Sequence, residues 1–179
     1  MAPPDALAAR VAEPIAAAVK AYLSGGSATA FEQAMQAAIT RAHTAAYLRG
    51  LAERSAGGRV REWLSRIVGV RALPSADRAA LRERLAEQFG YLRGFVDALP
   101  GMSDAAIAAR AGLYGGAARA SYWQAWAGAA LECLPGGCES CFGRCRCSLD
   151  RTADGIYWRG PGDAHSCAAC KGRIGRRMD

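Results

Sequence analysis

Apolar positions over the first 130 or so residues recur at steps of three and four, the spacing of one face of an α-helix, whereas the last 45 or so show no such period. Residues 5–22 read as a short Ala-rich helix with Pro14 as a kink, stopped by Ser24-Gly25-Gly26-Ser27. Phe31, Met35, Ala38, Ile39, Ala42 and Ala46 make one stripe on a second helix, expected to fade near Gly50 or by Gly57-Gly58. Val60, Trp63, Leu64, Ile67 and Val68 share a face on a shorter segment ending near Leu73-Pro74.

Ser75 is the expected N-cap of a further helix, its hydroxyl accepting a free first-turn amide. Leu81, Leu85, Phe89, Leu92 and Val96 keep the helical step until Pro100-Gly101. Ser103 is placed to cap a long helix through Ile107, Ala111, Tyr114, Ala118, Tyr122 and Ala129. Gly112, Gly115 and Gly116 lie inside it, marking either a close approach of another helix or a bend. At Leu134-Pro135-Gly136-Gly137 the helical period stops, and Cys, Gly and Arg take over, with a hairpin expected through Cys147–Leu149 and Gly155–Arg159. The pattern predicts a mainly α protein: a body of about four to five Ala-rich helices over 1–132 and a small zinc-ribbon or knuckle-like module over 133–179.

Composition sharpens this picture. Hydrophobic residues make up 51% of the 179, but much of that is alanine and only 8% of the chain is aromatic, which favours thin, closely packed helices. The formal charge is +7; from Cys138 onward there are eight Lys/Arg against five Asp/Glu, so the excess is denser in the tail. Such a balance suits an acidic or nucleic-acid partner and is equally common on solvated helices. No run of about 18 apolar residues occurs, so no membrane span is expected. Met-Ala-Pro-Pro-Asp followed by Arg10 and Glu13 does not read as a secretory signal. Seven cysteines in that setting point to metal ligands ahead of disulfides, and their odd number leaves complete pairing out of reach.

Six of those cysteines form one constellation: Cys138-x-x-Cys141, Cys145-Arg146-Cys147, nineteen residues, then Cys167-x-x-Cys170. A structural zinc needs four ligands converging at about 2.3 Å, which two close pairs separated by a loop supply. Cys167 and Cys170 make one half-site, and the earlier group holds more thiols than the other half needs. Cys145 and Cys147, two apart, point to the same side of an extended chain. Cys138 is a reserve donor, and His165, two residues before Cys167, is either a ligand, an outer-sphere donor or a surface residue. Cys133 reads as a packed residue and His43 as a satisfied, partly buried one. The excess of cysteine favours a closed, structural site over a catalytic one. A module this small buries too little to fold alone, so metal binding would supply much of its folding free energy.

The segments Tyr91-Leu92-Arg93-Gly94-Phe95, Ala109-Arg110-Ala111-Gly112-Leu113-Tyr114 and Ser121-Tyr122-Trp123 resemble those of tailed-bacteriophage structural proteins of the minor-head or head-morphogenesis kind. Ala42-His43-Thr44-Ala45-Ala46-Tyr47, Cys141-x3-Cys145-Arg146-Cys147, Tyr157-Trp158 and Asp163-Ala164-His165-Ser166-Cys167-x2-Cys170 extend the likeness. Ser166 stands where that pattern has His, directly before the last cysteine pair, and Arg144 where it has Asn. The resemblance implies metal-ligand roles for Cys141, Cys145, Cys147, Cys167 and Cys170. It also implies a virion structural or assembly role with capsid, portal or self contacts, in the host cytoplasm and then the virion, with no small-molecule substrate.

A zinc-dependent nucleic-acid module is the alternative, with non-specific DNA contact through the tail arginines and base stacking on Tyr157 and Trp158. Catalysis is not expected: the chain has no Gly-rich phosphate loop, no Gly-x-Ser-x-Gly elbow and no His-Glu-x-x-His site, and the spacing of Asp150, Asp154 and Asp163 marks no general base.

Overall fold

A computed structural model describes residues 5–54, 73–128, 133–137 and 144–178. The protein is mainly helical with a small C-terminal strand pair. Its elements are α1 (Asp5–Leu23), α2 (Ala28–Arg54), α3 (Ser75–Ala98), a 3-10 turn (Leu99–Gly101), α4 (Asp104–Ala127), β1 (Ser148–Thr152), β2 (Gly155–Arg159) and the single-turn α5 (Ala168–Lys171). The expected segment carrying Val60, Trp63, Leu64, Ile67 and Val68 lies outside the described residues.

Helix α2 is the hub and packs on α1, α3 and above all α4. Its stripe is the expected one: Phe31, Met35, Ala38, Ile39, Ala42 and Ala46 are all buried. The alanines meet a similarly small-faced α4, where Ala111, Ala117, Ala118 and Ala120 are buried, and small side chains let two backbones approach closely. Larger residues fill the space around that seam. Phe31 meets Phe95 edge-on at 5.7 Å between ring centroids, and Phe95 stacks on Tyr114 at 6.2 Å.

Of the two endings expected for α2, the one at Gly50 is passed and the helix runs to Arg54. Gly50 lies beneath the backbone of α4, where a β-carbon would run into the Tyr122 carbonyl and meet Ala125 Cβ at 3.0 Å. Gly112 is different: a β-carbon there would meet nothing within 4 Å, so it does not serve a close approach. Ser75 is the first residue of α3 and not its N-cap; Pro74 occupies that place in extended geometry and its carbonyl accepts the Arg78 N–H at 2.9 Å. The buried face of α3 is Leu81, Gln88, Leu92 and Phe95, which leaves Leu85, Phe89 and Val96 half-buried at its margin. Ser103 caps α4 as expected, accepting the Ala106 N–H at 3.3 Å, and Gly128 ends that helix in the left-handed conformation (φ 72°) that glycine adopts without strain.

The hairpin starts one residue later and runs further than expected, pairing Ser148 with Arg159, Leu149 with Trp158, Asp150 with Tyr157, Arg151 with Ile156 and Thr152 with Gly155. The free edge of β2 is then covered by the chain end: Trp158 N–H donates to Arg176 O (3.0 Å), Gly175 N–H to Trp158 O (2.9 Å) and Met178 N–H to Ile156 O (2.8 Å). Residues on both sides of the composition change share one apolar cluster, in which Leu134, Leu149, Ile156 and Trp158 are buried along with the helical core. The hairpin thus presents Cys147 and its neighbours inward.

Candidate metal centre

Cys145 and Cys147 lie in the extended run that leads into β1, and Cys170 lies in α5. An extended chain alternates sides, so residues two apart project together. The tight turn at 167–172 brings the second knuckle to meet them. The three sulfurs all lie within 4.8 Å of one another, and all three residues are buried. Tetrahedral ligands about 2.3 Å from a zinc ion are about 3.8 Å apart, so these sulfurs are near the required separation. Cys145, Cys147 and Cys170 are close enough to hold a metal ion.

Cys167 caps the α5 turn, its sulfur accepting the Cys170 N–H at 3.4 Å, an amide-to-sulfur bond that fixes the knuckle. It is partly buried, its thiol borders that of Cys170, and it is not one of the trio within 4.8 Å. Cys138 and Cys141 lie outside the described residues. His165 is exposed and does not join the trio; its backbone N–H donates to Asp163 Oδ1 at 3.1 Å. Cys133 is partly buried and packed against the core, as the sequence suggests.

The electrostatics suit a cation. Burial pushes the Cys147 thiol above its ordinary range, and the Cys145 sulfur adds to the effect. Burial raises Cys170 further, with Cys167 and Cys147 reinforcing it. Three thiols crowded away from water resist ionisation because each thiolate repels the next. A divalent cation at their centre reverses that balance by ionising its ligands.

Further residues shape the centre, and of these the sequence patterns did not single out Gly160 at all. Asp163 organises the approach to Cys167: it accepts Arg146 Nη2 at 2.5 Å, Ser166 Oγ at 3.2 Å and the His165 amide. The Arg146 guanidinium, with Ser166 and the His165 amide helping, holds its carboxyl down at about 2. Arg146 thereby ties the loop of one knuckle to the Cys145–Cys147 run of the other. Gly160 lies beside Cys147, where a β-carbon would come within 2.9 Å of Sγ. Trp158 is fully buried, so it cannot stack on bases as the nucleic-acid reading requires; its ring sits in the core with Arg173 over it at 5.9 Å.

His43 is more deeply buried than its pattern suggests and only half satisfied. Its Nδ1 is 2.7 Å from Ser121 Oγ, while Nε2 has no partner among the described residues. Burial, aided by the charge of Arg84, lowers its pKa to about 3, so it is neutral at pH 7.

No protein-family model, curated protein or solved structure matches the chain.

Proposed function

We propose that this chain is a non-enzymatic structural protein of tailed-phage heads, whose C-terminal module is clipped to the helical body by one structural zinc ion. Cys145, Cys147 and Cys170 supply three thiolates and Cys167 the fourth. The observation that carries the metal half is the convergence of three buried sulfurs within 4.8 Å. Cys167 is chosen because its sulfur already borders Cys170; Cys141 and Cys138 are the competing fourth donors. An all-cysteine shell is closed and leaves no position for a substrate, which is why the role is mechanical. The virion setting rests on the resemblance of the cysteine and aromatic motifs alone, and the expected contacts are portal, capsid or another copy of the chain.

A phosphate-binding role has less support, because at least four of the tail's eight cations are engaged within the chain. Arg146 pairs with Asp163, Arg159 with Asp150, Arg151 with the end of α4, and Arg173 with Ala169 O at 2.9 Å.

Elemental analysis of purified protein, with and without chelator, tests the metal: one zinc per chain is expected, lost in Cys170→Ser and not in Cys133→Ser. No stoichiometric metal would end the reading. Pull-down against portal and capsid proteins tests the setting, and binding to neither would remove it. A salt-dependent gel shift would move the assignment to nucleic acid.

A further inference from the structure

We infer that Trp158 is the positioning residue of the metal centre, donating its indole N–H to the Cys147 thiolate. The inference rests on the metal reading above.

The hairpin register provides the geometry. Leu149 faces Trp158 across the strands and Ser148 faces Arg159, so the same register carried one step further sets Cys147 opposite Gly160. Trp158 is then the diagonal neighbour of Cys147 on one face of the hairpin, a separation that an aromatic side chain spans. Gly160 has no side chain to fill the space over Cys147, and a β-carbon there would already crowd Sγ at 2.9 Å.

The second observation concerns the indole nitrogen. Trp158 is 0% exposed, yet its Nε1 has no hydrogen-bond partner among the described residues. Buried indole N–H groups ordinarily find a partner. The register sets the Cys147 sulfur beside it on the same face of the hairpin. A neutral thiol is a poor acceptor and a thiolate a good one. A metal-bound Cys147 thiolate would supply the acceptor that the buried N–H lacks. Metal binding and the burial of Trp158 support each other, in the way outer-sphere donors usually hold metal ligands.

The test uses Co2+ as a spectroscopic probe on the full chain, with the unmodified protein, Trp158→Phe, and a protein in which the Trp158 indole is replaced by benzothiophene. The last keeps the ring shape and exchanges N–H for sulfur, so it remains informative if Trp158→Phe fails to fold. Loss of the donor should weaken cobalt binding about tenfold in chelator competition and shift the thiolate-to-cobalt charge-transfer band to lower energy, because the sulfur lone pairs are no longer stabilised. Weaker binding with an unmoved band would indicate packing alone and overturn the inference, as would unchanged binding. If the unmodified protein binds no cobalt, the metal reading itself fails, a result distinct from either.

Discussion

The Arg151 guanidinium lies 5.0 Å over the Trp126 ring while its Nη2 donates to the carbonyls of Trp126 (3.2 Å) and Ala127 (3.0 Å). These are among the last carbonyls of α4, which lack partners within the helix, and a cation there also meets the negative end of the helix dipole. One side chain of β1 thus fastens the hairpin to the C-terminal end of core helix α4. Arg151→Ala should lower stability by about 1 kcal/mol, after allowance for solvent at this surface. Arg151→Lys should recover only part of it, since an ammonium does not reproduce the flat guanidinium stacked on the indole. Urea melts of the three proteins check this; equal midpoints would mean the hairpin is held elsewhere.

Two glycines of the helical body should respond oppositely to alanine. Gly50→Ala forces a β-carbon into the Tyr122 carbonyl and against Trp126 N at 3.0 Å, so α2 and α4 must separate. A loss of about 2–3 kcal/mol is expected, the size of an overpacked core. Gly112→Ala meets open space inside α4 and should gain up to about 1 kcal/mol from helix propensity and a less flexible unfolded chain. Thermal denaturation of both variants reads the two signs directly, and a stabilised Gly50→Ala would refute the close seam.

That contrast marks what a single sequence reveals. The faces of α2 and α4 were legible because burial follows a 3.6-residue period, and the close pairs Cys145–Cys147 and Cys167–Cys170 because ligand spacing is a local property; which of the thiols converge depends on the fold and was not. Nothing local separates Gly50 from Gly112: both interrupt an apolar helix, and only the partner backbone tells them apart. Ser75 looked like a cap because serine caps well, but Pro74 fixes the chain in extended geometry one residue earlier. On α3 the pattern favoured Phe89, whereas the helix turns Gln88 inward, one turn from Arg84. Trp158 and Gly160 acquire their roles from cross-strand register, which no periodicity encodes.

Acid should destabilise the body through His43. Its folded pKa is about 3 against 6.5 for an unperturbed histidine, chiefly because burial penalises the charged ring. Above pH 6.5 both folded and unfolded chains hold it neutral, and it has no effect on the balance. Below that the unfolded chain takes up the proton first, so stability falls by about 1.4 kcal/mol per pH unit until the folded form also protonates near pH 3. Thiolate ligands also release metal in acid, so the comparison must be between variants. The stability lost from pH 6.5 to 4.5 should be about 2–3 kcal/mol smaller in His43→Leu than in the unmodified protein, measured by urea melts at each pH. Parallel curves would show that His43 is not held neutral.

The neighbour of that histidine gives an independent check. Ser121 is fully buried and its hydroxyl is the partner of His43 Nδ1 at 2.7 Å. Ser121→Ala removes one oxygen and leaves a second ring nitrogen buried without a partner, since Nε2 already has none. The cost should be about 1–3 kcal/mol at pH 7, the penalty for orphaning a buried polar group. Combining it with His43→Leu should cost less than the sum, because the double variant leaves no ring nitrogen to desolvate. Strict additivity in a double-mutant cycle would break the link between the two residues.

Gly160→Ala separates the metal centre from the rest of the fold. Its β-carbon would come within 2.9 Å of Cys147 Sγ and 3.4 Å of Ile174 Cδ1. A free thiol relieves such a contact by rotating about its χ1 bond, but a sulfur fixed by a cation cannot move without lengthening its bond to the metal. The clash therefore falls mainly on the loaded protein, and zinc affinity should drop about tenfold or more while the chelated protein melts nearly as before. Gly172→Ala, on the opposite knuckle, is the control: its β-carbon would meet nothing nearer than Ala168 O at 3.6 Å, and zinc affinity should hold. Competition with a chromophoric chelator measures both. Equal affinities for the two variants would mean that Cys147 does not bind the ion, and the trio would lose the ligand on which the hairpin side of the centre depends.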